Sequence, residues 1–246
     1  MASSFTIVKG ALIEESYAVL ARWDFSRSKR ENLARFREEN YIGAGSGKWL
    51  LNVSKVLNRR FDPAGRDRAL AVLAQQGCAL EVWKPILLWH MTRDEFLLRD
   101  FLLHWLFPTY AAGAFRVRPE ELRESLRRTC PAWTESTLER VAGALLRMAV
   151  DFGLLRGKIV KTFATYHLPE ASFLYLLHAL REETESPGKI LAAPDWRMFL
   201  LRPADVEREI LRLHQLDKLH YEVAGSLAQL SLPNASSLEY AERTTA

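Results

Sequence analysis

Apolar residues recur at three- and four-residue intervals along most of the chain, so helices dominate the reading. The clearest case starts near Trp133. Leu138, Val141, Leu145, Met148 and Phe152 share one helix face, Thr134 stands at the N-cap, and Glu135 lies where the helix dipole favours an anion. Gly153 follows the last apolar position, where a left-handed residue often ends a helix. The composition then changes: residues 158–166 are rich in β-branched and aromatic side chains, and Pro169 closes the segment. Residues 133–169 have the outline of a winged helix, an amphipathic helix running into a short basic hairpin. That shape suits a duplex groove and its flanking phosphates. A helix and hairpin that only pack a core would leave the same trace.

The same periodicity predicts helices over residues 13–22, 66–76 and 80–91. Ser28-x-x-Glu31 is a capping box opening a helix to about Glu39, and Ser46 caps one over 47–60, stopped before Asp62-Pro63. Thr92-x-x-Glu95 opens a helix over 94–107, stopped at Pro108. Pro119, Pro169 and Pro203 each sit near the first position of a helix, with acids close behind.

The helix–hairpin outline recurs downstream. Leu146-Arg147-Met148 and the residues to Leu155 resemble Leu211-Arg212-Leu213 and the residues to His220. A β-prone segment ending in Leu-Pro follows each, at Leu168-Pro169 and Leu232-Pro233. A turn at Ala224-Gly225 separates residues 219–223 from 226–230. Two copies fall short of a repeat architecture, which needs about three. The break at residues 113–119 divides the chain into two helical domains, 1–113 and 114–246. Residues 182–188, rich in Glu, Ser and Pro, form a second flexible stretch, and the polar end beyond Asn234 is expected to fray.

Charge changes the picture more by its distribution than by its sum. The net value is only +4 over 246 residues, of which 48% are hydrophobic. Residues 1–60 hold 11 Lys/Arg against 6 Asp/Glu, residues 61–168 hold 15 against 12, and residues 169–246 hold 8 against 12. A basic front suits phosphates, because each one neutralised releases counterions. The acidic last third is better placed to meet protein. Cys78 and Cys130 are too few for a disulfide scaffold and fit a reducing cytosol. No secretory signal is apparent. The apolar stretch 82–107 is broken by Arg93-Asp94-Glu95, short of the roughly 20 residues a membrane span needs, so a cytoplasmic protein is expected.

The sharpest surface pattern lies on the helix over 47–60. Lys48, Asn52, Lys55 and Arg59 fall in one narrow stripe, apart from Trp49, Val53, Val56 and Leu57. Cations for phosphates or guanine and an amide for adenine edges suit a groove, although a solvated helix face is also Lys-rich. Arg27, Lys29, Arg30, Arg35 and Arg37 lie just upstream, only partly offset by Glu38 and Glu39. Lys158 and Lys161 near the hairpin tip complete the candidate DNA contacts.

Other motifs carry less. Gly43-Ala44-Gly45-Ser46-Gly47-Lys48 has three residues rather than four between its outer glycines, and Trp49 replaces the hydroxyl that would bind Mg²⁺. Its backbone N–H groups remain available for a phosphate. Asp151-Phe152-Gly153 ends a helix and has no companion catalytic loop. His90, His104, His167, His178, His214 and His220 show no metal spacing, and His90 and His104 read as core or boundary groups. No catalytic set, metal or cofactor is expected, and the chain does not read as an enzyme.

Taken together, Gly10-Ala11-Leu12-Ile13-Glu14-Glu15, Trp133-Thr134-Glu135-Ser136-Thr137 leading to Gly153-Leu154-Leu155, and Ala193-Pro194-Asp195-Trp196-Arg197-Met198-Phe199-Leu200 resemble the BrxA proteins of BREX phage-resistance systems. Asp205-Val206 and Leu219-His220-Tyr221-Glu222-Val223-Ala224-Gly225-Ser226 extend the resemblance. It implies a small, mostly helical, cytoplasmic protein that binds double-stranded DNA, with a NusB-like helical bundle in its N-terminal part. It also implies a place beside the DNA methyltransferase and ATPase of the same cluster. No site residue carries over from it. The expectation is a mainly α protein of two helical domains with small winged-helix-like β-hairpins, binding duplex DNA without catalysis. A protein-interaction scaffold and an RNA-binding, antitermination-like factor are the alternatives; Trp23, Phe25 and Tyr41 near the basic region keep RNA open.

Overall fold

The structure is a computed structural model that describes residues 4–225 and 227–244. It is mainly α, with two small antiparallel sheets. The helices before the first strand are α1 (Ser4–Ile7), α2 (Ile13–Leu20), α3 (Lys29–Glu39), α4 (Gly47–Arg60), α5 (Arg68–Gln75), α6 (Leu80–Met91), α7 (Phe96–Asp100) and α8 (Phe107–Ala111), the last two joined by a π-helical stretch, Phe101–Leu106. Then come β1 (Arg116–Val117), α9 (Pro119–Thr129), α10 (Glu135–Asp151), β2 (Leu155–Arg156) and β3 (Lys161–Phe163). The chain ends with α11 (Glu170–Arg181), α12 (Pro187–Leu191), a 3₁₀ turn (Pro194–Phe199), α13 (Pro203–Gln215), β4 (His220–Ala224), β5 (Leu227–Ser231) and α14 (Ser237–Arg243).

Local signals account for most of these elements. Ser28 and Glu31 form the reciprocal capping box of α3, and Ser46 and Thr134 accept from Trp49 N and Thr137 N to open α4 and α10. Gly153 has φ 77° and ends α10, whose Leu138, Val141, Leu145, Met148 and Phe152 are all buried. Pro119 and Pro203 occupy first helical positions, whereas Pro169 sits one place earlier, at the N-cap of α11.

The expected helix over 94–107 needs correction at both ends. Thr92 Oγ1 donates to Trp89 O instead of capping, and Glu95 turns inward to Arg60 and Thr6. At the other end Pro108 does not stop the helix. Phe107 N–H reaches back to Leu102 O, a wide π turn, and helix continues through Pro108 to Ala111. A proline lacks the N–H that a tight turn would need, and a π turn absorbs that mismatch.

Buried residues from Ile7 to Ala241 form one continuous core. Polar links also cross the midpoint of the chain. Trp89 Nε1 donates to Asp195 at 2.9 Å, Arg99 pairs with Asp195 at 3.0 Å, and Ser172 Oγ donates to Val82 O. The segment expected to separate two domains holds Gly113, at φ 78°, and then β1, which pairs with β3. No described helix is long and apolar enough to cross a membrane.

Candidate nucleic-acid interface

The α4 stripe lies at the surface. Lys48, Lys55 and Arg59 are exposed and Asn52 is half-buried, while Leu50, Val53, Val56 and Leu57 face the core and Trp49 packs against its edge. Among the described residues no carboxylate pairs with Lys48, Lys55 or Arg59. The upstream cations are less free than their number implies. Arg27 pairs with Asp24, Arg35 binds Tyr41 and the Arg22 carbonyl, Lys29 donates to Asn58 O, and Arg37 donates to Ser54 Oγ. Arg60, at the end of α4, is fully buried. Its guanidinium binds Glu95 and the carbonyls of Thr6, Gly10 and Ala11, so it ties down the N-terminal segment. Burial pulls its pKa below the usual range while Glu95 opposes that pull.

The glycine-rich loop before α4 is held by Asn40, whose side chain donates to Ala44 O and accepts from Ala44 N. The local pattern is that of a helix-terminating turn, with Asn40 at φ 48° and Gly43 at φ 61°.

The second cationic surface belongs to residues 116–163. Strand order is β1-β3-β2, with Arg116 and Arg156 both opposite Thr162. Residues directly opposite in a ladder share a face, so the two arginines flank Thr162 about 10 Å apart, two strand spacings. Both are exposed. On the other side Val117 and Leu155 enter the core, and Phe163 packs on Tyr110 with ring centroids 5.3 Å apart. On α10 the exposed row is Ser136, Arg140 and Arg147, passing over Gly143. Glu139 is exposed beside it, and Asp151 stands within electrostatic reach of Arg147. Among the described residues Arg116, Arg140, Arg147, Arg156 and Lys158 have no ion-pair partner. The sequence reading missed four of these five. Arg140 and Arg147 lie opposite the buried face of α10, a signal present in the spacing; Arg116 and Arg156 become neighbours only through strand pairing.

The two predicted hairpin lysines differ. Lys158 is exposed in the β2–β3 connection rather than in a strand. Lys161 Nζ folds back onto Gly157 O at 2.9 Å and Lys158 O at 2.7 Å, so its ammonium locks the turn. Gly157, at φ 101°, is required there, since a Cβ would lie 2.1 Å from Val160 O.

The downstream unit repeats the layout with opposite electrostatics. Its hairpin pairs His220 with Ser231 through Ala224 with Leu227, and Gly225 turns at φ 64°; Ser226 lies outside the described residues. Arg208 pairs with Asp205, Arg212 with Glu209 and Glu170, Lys218 with Glu170, and His220 with Glu222.

Two further points bear on chemistry. Asp67 Oδ1 lies 2.6 Å from His90 Nδ1, and His90 Nε2 lies 2.7 Å from the Tyr175 hydroxyl, a line resembling an acid–base relay. All three residues are fully buried, and the line fastens α11 to α6. His104, expected in the core or at its boundary, is exposed. The aromatics near the basic front are occupied as well. Trp23 is buried, Arg68 stacks on Phe25 at 4.2 Å, and Arg22 on Tyr41 at 5.1 Å.

The BrxA family model matches residues 3–179, and no curated protein matches the chain. The chain therefore belongs to the BrxA family, components of BREX phage-defence systems.

Proposed function

We propose that this BrxA-family chain binds double-stranded DNA, mainly through phosphates, and acts without catalysis as an accessory component of the defence system. The observation that carries the reading is the set of exposed cations on residues 116–163 that have no ion-pair partner among the described residues, presented by the three-stranded sheet and the adjoining α10. Helix–strand–helix–helix–strand–strand order with the last strand central resembles a winged helix and supports reading α10 as the groove helix and the β2–β3 hairpin as the wing. Lys48, Asn52, Lys55 and Arg59 supply a second contact surface of the same sign.

At the basic front Trp23, Phe25 and Tyr41 are occupied, which removes the stacking platforms that kept RNA open there. A scaffold role fits the downstream helix–hairpin unit, where Arg208, Arg212 and Lys218 are already neutralised and Leu211, Leu216 and Val223 are exposed. That unit is suited to contact protein partners, the methyltransferase or ATPase of the system among them. The protein works in the cytoplasm on this reading and needs no cofactor.

A salt series tests it. Duplex affinity in the micromolar range or weaker is expected at moderate salt, falling linearly on a log–log scale, with single-stranded DNA and RNA bound less well. Salt-independent affinity, or a preference for RNA, would overturn the proposal.

A further inference from the structure

The tip of the β2–β3 hairpin carries two large aliphatic side chains in open solvent. Ile159 is 90% exposed and Val160 53% exposed, and Phe115 beside β1 is 64% exposed. These are the wrong residues for a wing that only touches phosphates. Nor is the tip a loose loop, because the Lys161 ammonium holds two of its carbonyls and Gly157 fixes the turn. A rigid turn presents Ile159 and Val160 at little further cost in conformational entropy.

The surroundings decide what such a tip meets. Arg156 and Lys158 precede it, and Arg116 stands across the sheet, all exposed and unpaired among the described residues. Glu120 and Glu121, which line one cleft with Ile159 and Val160, are engaged by Arg123 and Arg118. Protein-binding cores are depleted of charge, whereas this narrow apolar point stands among Arg116, Arg156 and Lys158, with the two carboxylates of the adjoining cleft already held by arginines. Apolar tip and neighbouring cations together match duplex DNA, where minor-groove proteins insert Ile, Leu or Phe between base pairs and kink the helix by about 20–90°.

We infer that Ile159 and Val160 form a wedge that enters the minor groove, partly unstacks a base step and bends the duplex, while Arg116, Arg156 and Lys158 hold the flanking phosphates. The inference rests on the DNA-binding reading and adds a mode of action to it. Such a protein shapes DNA rather than reading sequence, and flexible pyrimidine–purine steps are its preferred entry points.

Ligase-catalysed ring closure tests it with the full chain. A duplex of about 100 bp is shorter than the ~150 bp persistence length and closes poorly unless bent. The wild-type protein should raise closure at least about fivefold. Ile159→Ser/Val160→Ser should return closure to the level of free DNA and weaken binding about tenfold, with an unchanged salt slope because no charge is altered. Ile159→Leu should retain closure, which separates wedge loss from misfolding. Salt-dependent binding without enhanced closure, or a serine variant equal to wild type, overturns the wedge and leaves the DNA-binding reading standing. Absence of any salt-dependent duplex binding overturns both. Conversion of a wild-type dimer to monomer by the serine variant would assign the tip to self-association and overturn the wedge.

Discussion

The two helix–hairpin units of this chain share a local plan and differ in what their charges are doing. Residues 116–163 hold ten Lys/Arg against six Asp/Glu, and residues 203–231 hold three against five. The larger difference is in pairing. In the first unit Arg116, Arg140, Arg147, Arg156 and Lys158 face solvent with no ion-pair partner among the described residues, while in the second Arg208, Arg212 and Lys218 are each neutralised. An arginine already held by a carboxylate must lose that partner before it binds a phosphate, so similar sequence patterns give unequal surfaces. The first hairpin also gains a third strand and a locked, apolar tip.

The comparison breaks most visibly under charge reversal. Arg140→Glu/Arg147→Glu/Arg156→Glu should lower duplex affinity about a hundredfold or more with an unchanged far-UV spectrum, as measured by anisotropy and circular dichroism. Lys48→Glu/Lys55→Glu/Arg59→Glu should do the same if α4 lies on the contact surface. Retained binding would reduce that stripe to a solvated helix face.

A pH series sharpens the contrast through stability. His178 on α11 is buried, and burial, aided by Arg181 and opposed by Glu182, pulls its pKa down to about 4. A base with a lowered folded pKa contributes stability that is complete above its unfolded value near 6.5 and is lost as pH falls toward 4. Between pH 6.5 and 4 the Tm should fall by at least about 3 °C, and His178→Leu should flatten that slope. Duplex binding between pH 6.5 and 5, measured where the chain is still folded, should not follow, because the arginines of the first unit stay charged throughout. A binding curve that tracks stability would mean that the DNA surface includes the titrating region.

Smaller effects separate the two hairpin lysines. Lys158→Ala should reduce the salt slope by about 0.9, one phosphate contact. Lys161→Ala should change the slope less and speed hydrogen exchange in residues 157–161, since its ammonium serves the turn. The smallest effect belongs to the downstream unit, where Arg208→Ala/Arg212→Ala should leave affinity within about twofold, as exposed ion pairs contribute little.

Much of this was legible in the sequence because it is local. The caps at Ser28, Ser46 and Thr134, the buried face of α10 and the exposure of Lys48, Lys55 and Arg59 all follow from spacing and residue type. The rest depends on partners far along the chain. Arg116–Val117 is a strand only because β3 lies beside it, and Glu95 leaves its expected capping place because Arg60 is buried nearby. Lys161 looks like a phosphate ligand until the turn geometry shows where its nitrogen goes. Charge counts also mislead about the end of the chain. Cutting after Gly188 would remove acidic residues, but also Trp196 stacked on Phe173, Asp195 bound to Trp89 and Arg99, and Tyr240 bonded to Ala171 O, so unfolding is the expected result.

Hydrogen exchange of the full chain with and without a short duplex at low salt tests the central claim most directly. The account predicts slowed exchange in residues 116–118, 136–147 and 155–163, with a smaller effect in residues 47–60 and none in residues 203–231. Protection confined to residues 203–231, or spread equally over both units, would contradict it.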